Sequence, residues 1–393
     1  MTLNTRFDYN ALMPKTMMKN VAVSSIQENK FSRNVWSILG LPFDLVSLQD
    51  ACSVTNRAIT NKQRCFLTTP NLNFLITAQS DEAFFQSVMD SDLSVADGMP
   101  IIWVAKLLGI PLPERVAGSD LFTGLSQQKQ SGKKISVFFF GGQAGVAEQA
   151  YLQLNKHSTG MSCCGFYDPG FVSVEAMSSE QIINMINQAN PDFLVVALGA
   201  GKGQAWIQKN RHQLKVPVIS HLGAVINFFA GTVKRSPQVF QCMGLEWLWR
   251  IHQEPVLWKR YFRDGLVFLR MLLFYVIPYR IWLRIHRALF KDVVPVKVKS
   301  EGVDSNAILM TLDGACTENT IDPLRALFAD AVLKEQDVIV DLEKVTVVDP
   351  AFIGLCLMLL KYLKLYQGQL SFRNVSARNR KIFNWNLVGF LLH

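Results

Sequence analysis

The sequence predicts an α/β protein: a parallel sheet flanked by helices, then a basic amphipathic helical appendage, then a second, small α/β domain. Three observations predict it. From about residue 35 to 230, short β-rich apolar runs alternate with amphipathic stretches, the pattern of strands joined by helical crossovers. Residues 233–300 hold 13 Lys/Arg against 4 Asp/Glu, whereas the rest of the chain is balanced. Beyond residue 306 the alternation of strand and helix resumes. A chain of 393 residues also exceeds what one core usually organises.

The runs read as strands of the first sheet are Val35–Leu39, Arg64–Thr68, Ile135–Phe140, Phe193–Leu198 and Val216–His221. Four of them lead into loops rich in Gly, hydroxyl and amide groups: Thr69-Pro70-Asn71, Gly141-Gly142-Gln143, Gly199-Ala200-Gly201-Lys202 and His221-Leu222-Gly223. Open α/β sheets bind ligands at the carboxyl ends of their strands, so these loops form the candidate site.

The expected organisation is an N-terminal extension over 1–34, the α/β domain over 35–243, the helical appendage over 244–292, a linker over 293–305 and the second domain over 306–393. The appendage runs from Gly244-Leu245-Glu246-Trp247-Leu248-Trp249-Arg250 through Met271–Tyr279 to Arg284 and Arg287. Its longest uncharged run, between Arg270 and Arg280 with Pro278 inside, falls short of the ~20 apolar residues a spanning helix requires. The segment is therefore expected to lie on a membrane surface, the alternative being a helical pair packed on the core. The second domain reads strand Ile308–Leu312, helix Thr320–Leu333, strand Val338–Leu342, helix Ile353–Tyr366, strand Leu370–Phe372, helix Ala377–Leu387.

Apolar residues at 49% and charged residues at 18%, with 26 Phe and 8 Trp, argue against disorder and lean toward a greasy partner. The formal charge of +9 arises within residues 233–300, where aromatic and aliphatic residues interleave with the cations. That favours an anionic lipid surface over nucleic acid. The 7 Cys residues, Cys52, Cys65, Cys163, Cys164, Cys242, Cys316 and Cys356, lack metal spacing and read as reduced core residues. No apolar h-region occurs in the first 30 residues, so a cytoplasmic location is expected.

Thr69 and Asn71 open a stretch through Phe74, Ala78 and Phe85 that reads as a helix. A helix N-terminus offers free N–H groups suited to phosphate or sugar hydroxyls, although Thr and Asn are also ordinary caps. Asp97, in Ser94-Val95-Ala96-Asp97-Gly98-Met99-Pro100, has the setting of a general base or of a cap for a helix beginning near Pro100. Arg115, in Glu114-Arg115-Val116-Ala117-Gly118, offers a planar fork for a diphosphate or a surface ion pair with Glu114. Asp90-Ser91-Asp92 has the spacing of a cation pair but no apolar strand leading into it, and no metal is assigned. Gly141-Gly142 and Gly199-Ala200-Gly201-Lys202-Gly203-Gln204 could cradle phosphate, yet neither has dinucleotide-fingerprint or P-loop spacing.

Taken in order, Thr69-Pro70-Asn71, Ala96-Asp97-Gly98, Glu114-Arg115-Val116-Ala117-Gly118, Phe139-Phe140-Gly141-Gly142, Gly231-Thr232-Val233-Lys234-Arg235-Ser236-Pro237 and Gly244-Leu245-Glu246-Trp247-Leu248 resemble the WecG/TagA/CpsF glycosyltransferase family. The match covers roughly residues 35–265. The resemblance implies a Rossmann-like α/β fold and inverting, metal-independent transfer from a UDP-sugar to a polyprenyl-diphosphate-linked acceptor. It also implies a basic C-terminal segment that contacts the membrane and helps close the site. Carried over, Asp97 is the base for the acceptor hydroxyl, Thr69 and Asn71 position substrate, and Arg115 holds the diphosphate. Gly141, Gly142, Gly199, Lys202, Gln204 and Gly223 line the substrate site, and Arg250, Arg260 and Arg263 add positive charge from the appendage. The chain departs from the family pattern at Gly201-Lys202-Gly203-Gln204, where Pro-Lys-Gln-Glu is usual, and at Asn227, where Asp is frequent. Gln204 then substitutes from one position along, or the donor differs.

The C-terminal domain resembles a STAS domain through Val338-Ile339-Val340-Asp341-Leu342 and Val347-Val348-Asp349-Pro350-Ala351-Phe352-Ile353-Gly354-Leu355. Pro350 and Ala351 stand where many such domains carry a phosphorylatable Ser, so the domain reads as a docking or oligomerisation module. The expected function is a glycosyltransferase of exopolysaccharide or cell-surface glycan assembly, peripheral on the cytoplasmic face of the inner membrane and using no cofactor. Its expected partners are a UDP-sugar donor, the lipid-linked acceptor, the membrane surface, a protein for the STAS-like domain and copies of itself. The competing expectation is a catalytically silent scaffold that binds nucleotide sugar and signals through that domain.

Overall fold

The computed structural model describes residues 30–128, 132–237, 239–240, 243–289, 295–303 and 306–392. Most of the expected N-terminal extension, and Cys242, lie outside them. The chain divides into two compact units, one of residues 46–103 and 112–268, the other of 104–111, 269–393 and the part of 1–45 that is described.

A hairpin, β1 (Val35–Ile38) and β2 (Leu41–Asp44), precedes the strands of the first unit, β3 (Cys65–Thr68), β4 (Leu93–Ser94), β5 (Ile135–Gly141), β6 (Met161–Tyr167), β7 (Phe193–Ala197) and β8 (Val218–His221). These six form one sheet, every neighbouring pair parallel, in the order β4-β3-β8-β7-β5-β6. β5 and β7 are buried at every position, as uninterrupted Phe and Val runs covered on both faces must be. One face packs Leu67, Val137, Phe139, Val195 and Val218 against Phe122 and Ile226. The other packs Phe138, Phe140, Leu194 and Val196 against Trp206, whose ring stacks on Phe140 with centroids 4.3 Å apart.

The helices, in order, are α1 (Leu48–Thr60), α2 (Leu72–Ala78), α3 (Glu82–Met89), α4 (Met99–Leu108), α5 (Gly118–Gln127), α6 (Val146–His157), α7 (Glu180–Ala189), α8 (Ala200–Asn210), α9 (Gly223–Ala230) and α10 (Glu246–Gln253). Local chemistry sets several starts. Ser47 and Asp50 form a reciprocal capping box at α1, while Asn71, Asp81 and Ser179 cap α2, α3 and α7.

The run Val35–Leu39, read as a strand of the parallel sheet, does something else. β1 (Val35–Ile38) pairs antiparallel with β2 (Leu41–Asp44), turning at Leu39 and Gly40, both at positive φ. Arg33 grips Asp44 with two bonds, Nε–Oδ1 at 2.9 Å and Nη2–Oδ2 at 2.7 Å. Two strands of the parallel sheet went unread: β4 has only two residues, and β6 is a half-exposed edge whose Met-Ser-Cys-Cys-Gly-Phe-Tyr lacks a continuous apolar signal. Among the described cysteines Cys164 is exposed, against the expectation of a core residue.

In the second unit, β9 (Lys297–Gly302) runs antiparallel to β10 (Ala307–Cys316), which is parallel to β11 (Asp337–Val348) and through it to β12 (Leu370–Arg373). β9 falls within the stretch read as linker. Its alternating lysines mark it as a solvated edge that resists further strand pairing.

From Trp258 the chain makes one long helix: α11 (Trp258–Met271), a π-helical turn over Leu272–Val276, and α12 (Ile277–Leu289). Pro278 was expected to interrupt it. The helix instead continues through it, with a π turn just before Pro278 in which Ile277 N–H bonds back to the Leu272 carbonyl. By length and composition the helix over Pro255–Ile285 is long and apolar enough to cross a membrane, although Arg270 and Arg280 interrupt it. Tyr279 is fully buried, donating to the Val348 carbonyl at 3.3 Å and lying near Trp385.

The second unit completes itself with α13 (Asp322–Leu333), α14 (Pro350–Leu363) and α15 (Ala377–Trp385). α14 is buried over almost its whole length because the β1–β2 hairpin covers it. Gly354 lies where any Cβ would collide with the Val35 carbonyl and the Trp36 backbone, and Arg325 ties down the carbonyls of Phe31 and Arg33 at 2.9 and 3.0 Å. A Gly354→Val protein is expected to lose about 1–3 kcal/mol of stability through overpacking. Urea unfolding followed by near-ultraviolet circular dichroism checks it.

Candidate active site

The carboxyl ends of β3, β4, β5, β7 and β8 converge. Asp97 N–H bonds to the Pro70 carbonyl at 3.0 Å and Val116 N–H to Ala96 at 2.9 Å, which joins the loops after β3 and β4 to the start of α5. Thr69 is buried beside Gly118, where the Leu222 side chain also lies. Gly142 N–H bonds to the Ala197 carbonyl at 2.9 Å, and Gly141 and Gly142 both take positive φ, so Gly is required there.

Asp97 accepts a hydrogen bond from the backbone N–H of Gly118, the first residue of α5. A helix N-terminus favours a carboxylate, but burial dominates. It pushes the Asp97 acid up to about 6, against the opposing pull of Arg115 and Arg250 and with a further push from Glu246. A carboxylate poised this way is a competent general base near neutral pH.

The cap reading holds for Asn71, whose Oδ1 accepts from Phe74 N–H at 3.2 Å. The expected ion pair of Arg115 with Glu114 does not form. Glu114 accepts from Leu48 N–H at 2.7 Å, while Arg115 bonds Glu246 Oε1 through Nη1 at 2.6 Å and Asp120 Oδ2 through Nη2 at 3.2 Å. Arg235 pairs with the other oxygen of Asp120. The segment carrying Arg235 is held by α10: Trp249 and Gln253 donate to the Lys234 carbonyl at 3.1 and 2.8 Å, and Gln253 accepts from Lys234 N–H at 3.1 Å.

Thr69, Asp97, Arg115 and Arg250 are thus brought together, with Asp120, Arg235 and Glu246 unforeseen beside them. Arg235 and Glu246 stood within quoted motifs, but a charge that serves by pairing with another charge has no sequence signature. Other predicted residues sit apart. Lys202 Nζ reaches the Val172 carbonyl at 3.2 Å. Gln204 is buried, with neither amide atom hydrogen-bonded to protein. A side chain at Gly203 would collide with the His221 ring, which bonds the Leu198 carbonyl at 2.6 Å and approaches Gly223. Gly199 caps α8. Arg250 lies 5.8 Å from the Phe228 ring, Arg260 rests on Tyr261 and Arg263 is exposed beside Asp264. Asp90 and Asp92 are engaged by the protein: Arg211, Gln208 and Gln86 hold Asp90, and Phe66 N–H donates to Asp92. Among the described residues no cluster of His, Cys, Asp or Glu is placed to hold a metal.

A model of the glycosyl transferase WecG/TagA/CpsF family matches residues 36–281. Among similar proteins is an N-acetylglucosaminyldiphosphoundecaprenol N-acetyl-beta-D-mannosaminyltransferase of Bacillus spizizenii, 32% identical over 195 residues, spanning 50% of this chain and 74% of that one. Proteins of the same description from Bacillus subtilis and Staphylococcus aureus are 28% and 25% identical, over 51% and 57% of this chain and 77% and 85% of theirs. Among solved structures, the anti-sigma factor antagonist SpoIIAA in its unphosphorylated form covers 25% of this chain and 86% of its own, at 21% identity and a TM-score of 0.24.

Because Asp97 is held above the usual carboxylate range, its ionised form costs the folded state stability that is fully lost only once the pH exceeds about 6. An Asp97→Asn protein is therefore expected to melt at higher temperature than the parent at pH 8. The difference should close between pH 6 and about 4 as the parent's carboxylate protonates. Scanning calorimetry of both proteins across that range checks it.

Proposed function

The chain belongs to the WecG/TagA/CpsF glycosyltransferase family, and we propose that it transfers a sugar, with inversion, from a UDP-sugar to a polyprenyl-diphosphate-linked acceptor in cell-surface glycan or exopolysaccharide assembly. The observation that carries this reading is a half-buried, weakly acidic Asp97 that accepts from the first N–H of α5, with the guanidinium groups of Arg115 and Arg250 acting on it. The similar proteins of Bacillus and Staphylococcus are named for a diphosphoundecaprenol acceptor, which supports the acceptor class.

In this mechanism Asp97 takes the proton of the acceptor hydroxyl as its oxygen bonds to the anomeric carbon. The bond from that carbon to the donor phosphate breaks, and its electron pair leaves with UDP. Negative charge grows on the departing diphosphate, where fixed guanidinium groups lower the barrier most. The reading assigns no metal, since Asp90 and Asp92 are already committed to protein donors.

The acceptor class also requires a membrane, and the long helix supports a surface position. One side, with Asp264, Phe268, Met271, Val276, Tyr279 and Leu283, is buried in protein. The other exposes Phe262, Leu266, Leu269, Leu273, Ile277, Ile281 and Ile285 at helical spacing. A helix with one face already packed on protein suits half-immersion at the cytoplasmic face of the inner membrane better than a span. The C-terminal unit, read as STAS-like, would then dock a partner or a second copy.

UDP release, measured across a panel of UDP-sugars with a short-chain polyprenyl-diphosphate-sugar acceptor, tests the chemistry. Acceptor-dependent release that survives EDTA, declines below about pH 6 and drops about 10²–10⁴-fold in Asp97→Asn is expected. UDP-sugar binding without turnover would favour the scaffold reading, which the crowding of Gly203 by His221 motivates. A Phe262→Ser, Leu266→Ser, Leu273→Ser protein should bind anionic liposomes at least about tenfold more weakly, read by co-sedimentation.

A further inference from the structure

Glu246 has a place in the site that the transfer chemistry does not call for. It opens α10, is the more exposed of the two carboxylates on Arg115 at 36% against 19% for Asp120, and makes a single bond to that guanidinium. Asp120, by contrast, is shared between Arg115 and Arg235 and lies in the first turn of α5, where the helix also favours it. The two carboxylates differ in what moving them would cost. Releasing Asp120 would strand two arginines. Releasing Glu246 frees one donor edge of Arg115 and leaves the other still held.

The charges in the neighbourhood reinforce this. Arg115, Arg235 and Arg250 face Asp97, Asp120 and Glu246, three cations against three anions. A balanced site has no net attraction for a diphosphate until one carboxylate yields. Glu246 alone among the three anions belongs to α10, the helix that also holds the Lys234 backbone next to Arg235.

We propose that Glu246 is a positioning residue that occupies the diphosphate's place on Arg115 in the empty enzyme and is displaced when the nucleotide diphosphate arrives, coupling substrate binding to the seating of α10. The inference rests on the reading of Arg115 as a diphosphate ligand. Glu246 forms no bond to the reacting atoms. It keeps the Arg115 fork extended and desolvated, so that the incoming anion replaces one carboxylate rather than ordering a free side chain.

The test is Glu246→Gln in the full chain, a change that keeps the shape and the hydrogen bond from Arg115 while removing the competing charge. UDP is the probe, measured by calorimetry at fixed ionic strength. Glu254→Gln, an exposed carboxylate at the other end of the same helix, controls for general charge. Glu246→Gln is expected to bind UDP roughly fivefold more tightly than the parent, with Glu254→Gln unchanged. The groups acting on Asp97 are Arg115, Arg250 and Glu246, with Arg235 also within electrostatic reach. Of these Glu246 pushes the Asp97 pKa up, so the acid limb of kcat/KM should move to lower pH in Glu246→Gln. A residue that only braced the fold would weaken UDP binding and leave that limb in place. Unchanged or weaker UDP binding in a folded Glu246→Gln protein overturns the proposal, as does an equal gain in Glu254→Gln. A parent that fails to bind UDP at all overturns both this inference and the functional reading beneath it, whereas a parent that binds UDP beside an indifferent variant sinks this inference alone.

Discussion

A carboxylate withdrawn from water must be compensated, and much of this site follows from the compensation of Asp97. Burial pushes it toward the neutral form; the Gly118 N–H, Arg115 and Arg250 pull it back toward the charged one. The balance leaves a carboxylate that changes its protonation at about pH 6. Arg115 then needs partners of its own, and Asp120 and Glu246 supply them, Asp120 being shared with Arg235. What looks like a surface ion-pair cluster is therefore the outer layer of one half-buried charge.

The same logic links the catalytic end of the sheet to the helices that follow it. Glu246, Trp249, Arg250 and Gln253 all lie on α10: Glu246 holds Arg115, Arg250 acts on Asp97, and Trp249 and Gln253 both hold the Lys234 carbonyl beside Arg235. A helix with a high density of such contacts is part of the site rather than an addition to it. The long helix after it serves two environments, burying Tyr279 and Leu283 in protein while leaving a row of Leu, Ile and Phe outside. The C-terminal unit is likewise a composite. Its most apolar helix, α14, is closed by a hairpin from more than 300 residues earlier in the chain.

Much of the first sheet was legible because parallel strands buried on both faces must be apolar along their whole length. Ile135–Gly141 and Phe193–Ala197 could hardly be anything else. The candidate loops followed from the strand ends, and Asp97 stood out as an isolated carboxylate in a turn. What could not be read was pairing. Val35–Ile38 has the composition of a core strand, but only the tertiary structure assigns it to a hairpin over α14. Pro278 was read as a break because a local rule about a missing donor cannot anticipate a helix that continues through it after a π turn.

The sequence by itself determined the α/β class, the concentration of positive charge before residue 300 and the order of motifs that marks the family, since each is carried by residues close together along the chain. Tertiary structure alone decided that Arg115 pairs with Asp120 and Glu246 rather than with its neighbour Glu114. It also buried Gln204 and filled the space beside Gly203 with His221. The physical reason is range. Periodicity and composition are local, whereas the partner of a charge and the space open to a side chain depend on groups far along the chain, 131 positions away for Arg115 and Glu246.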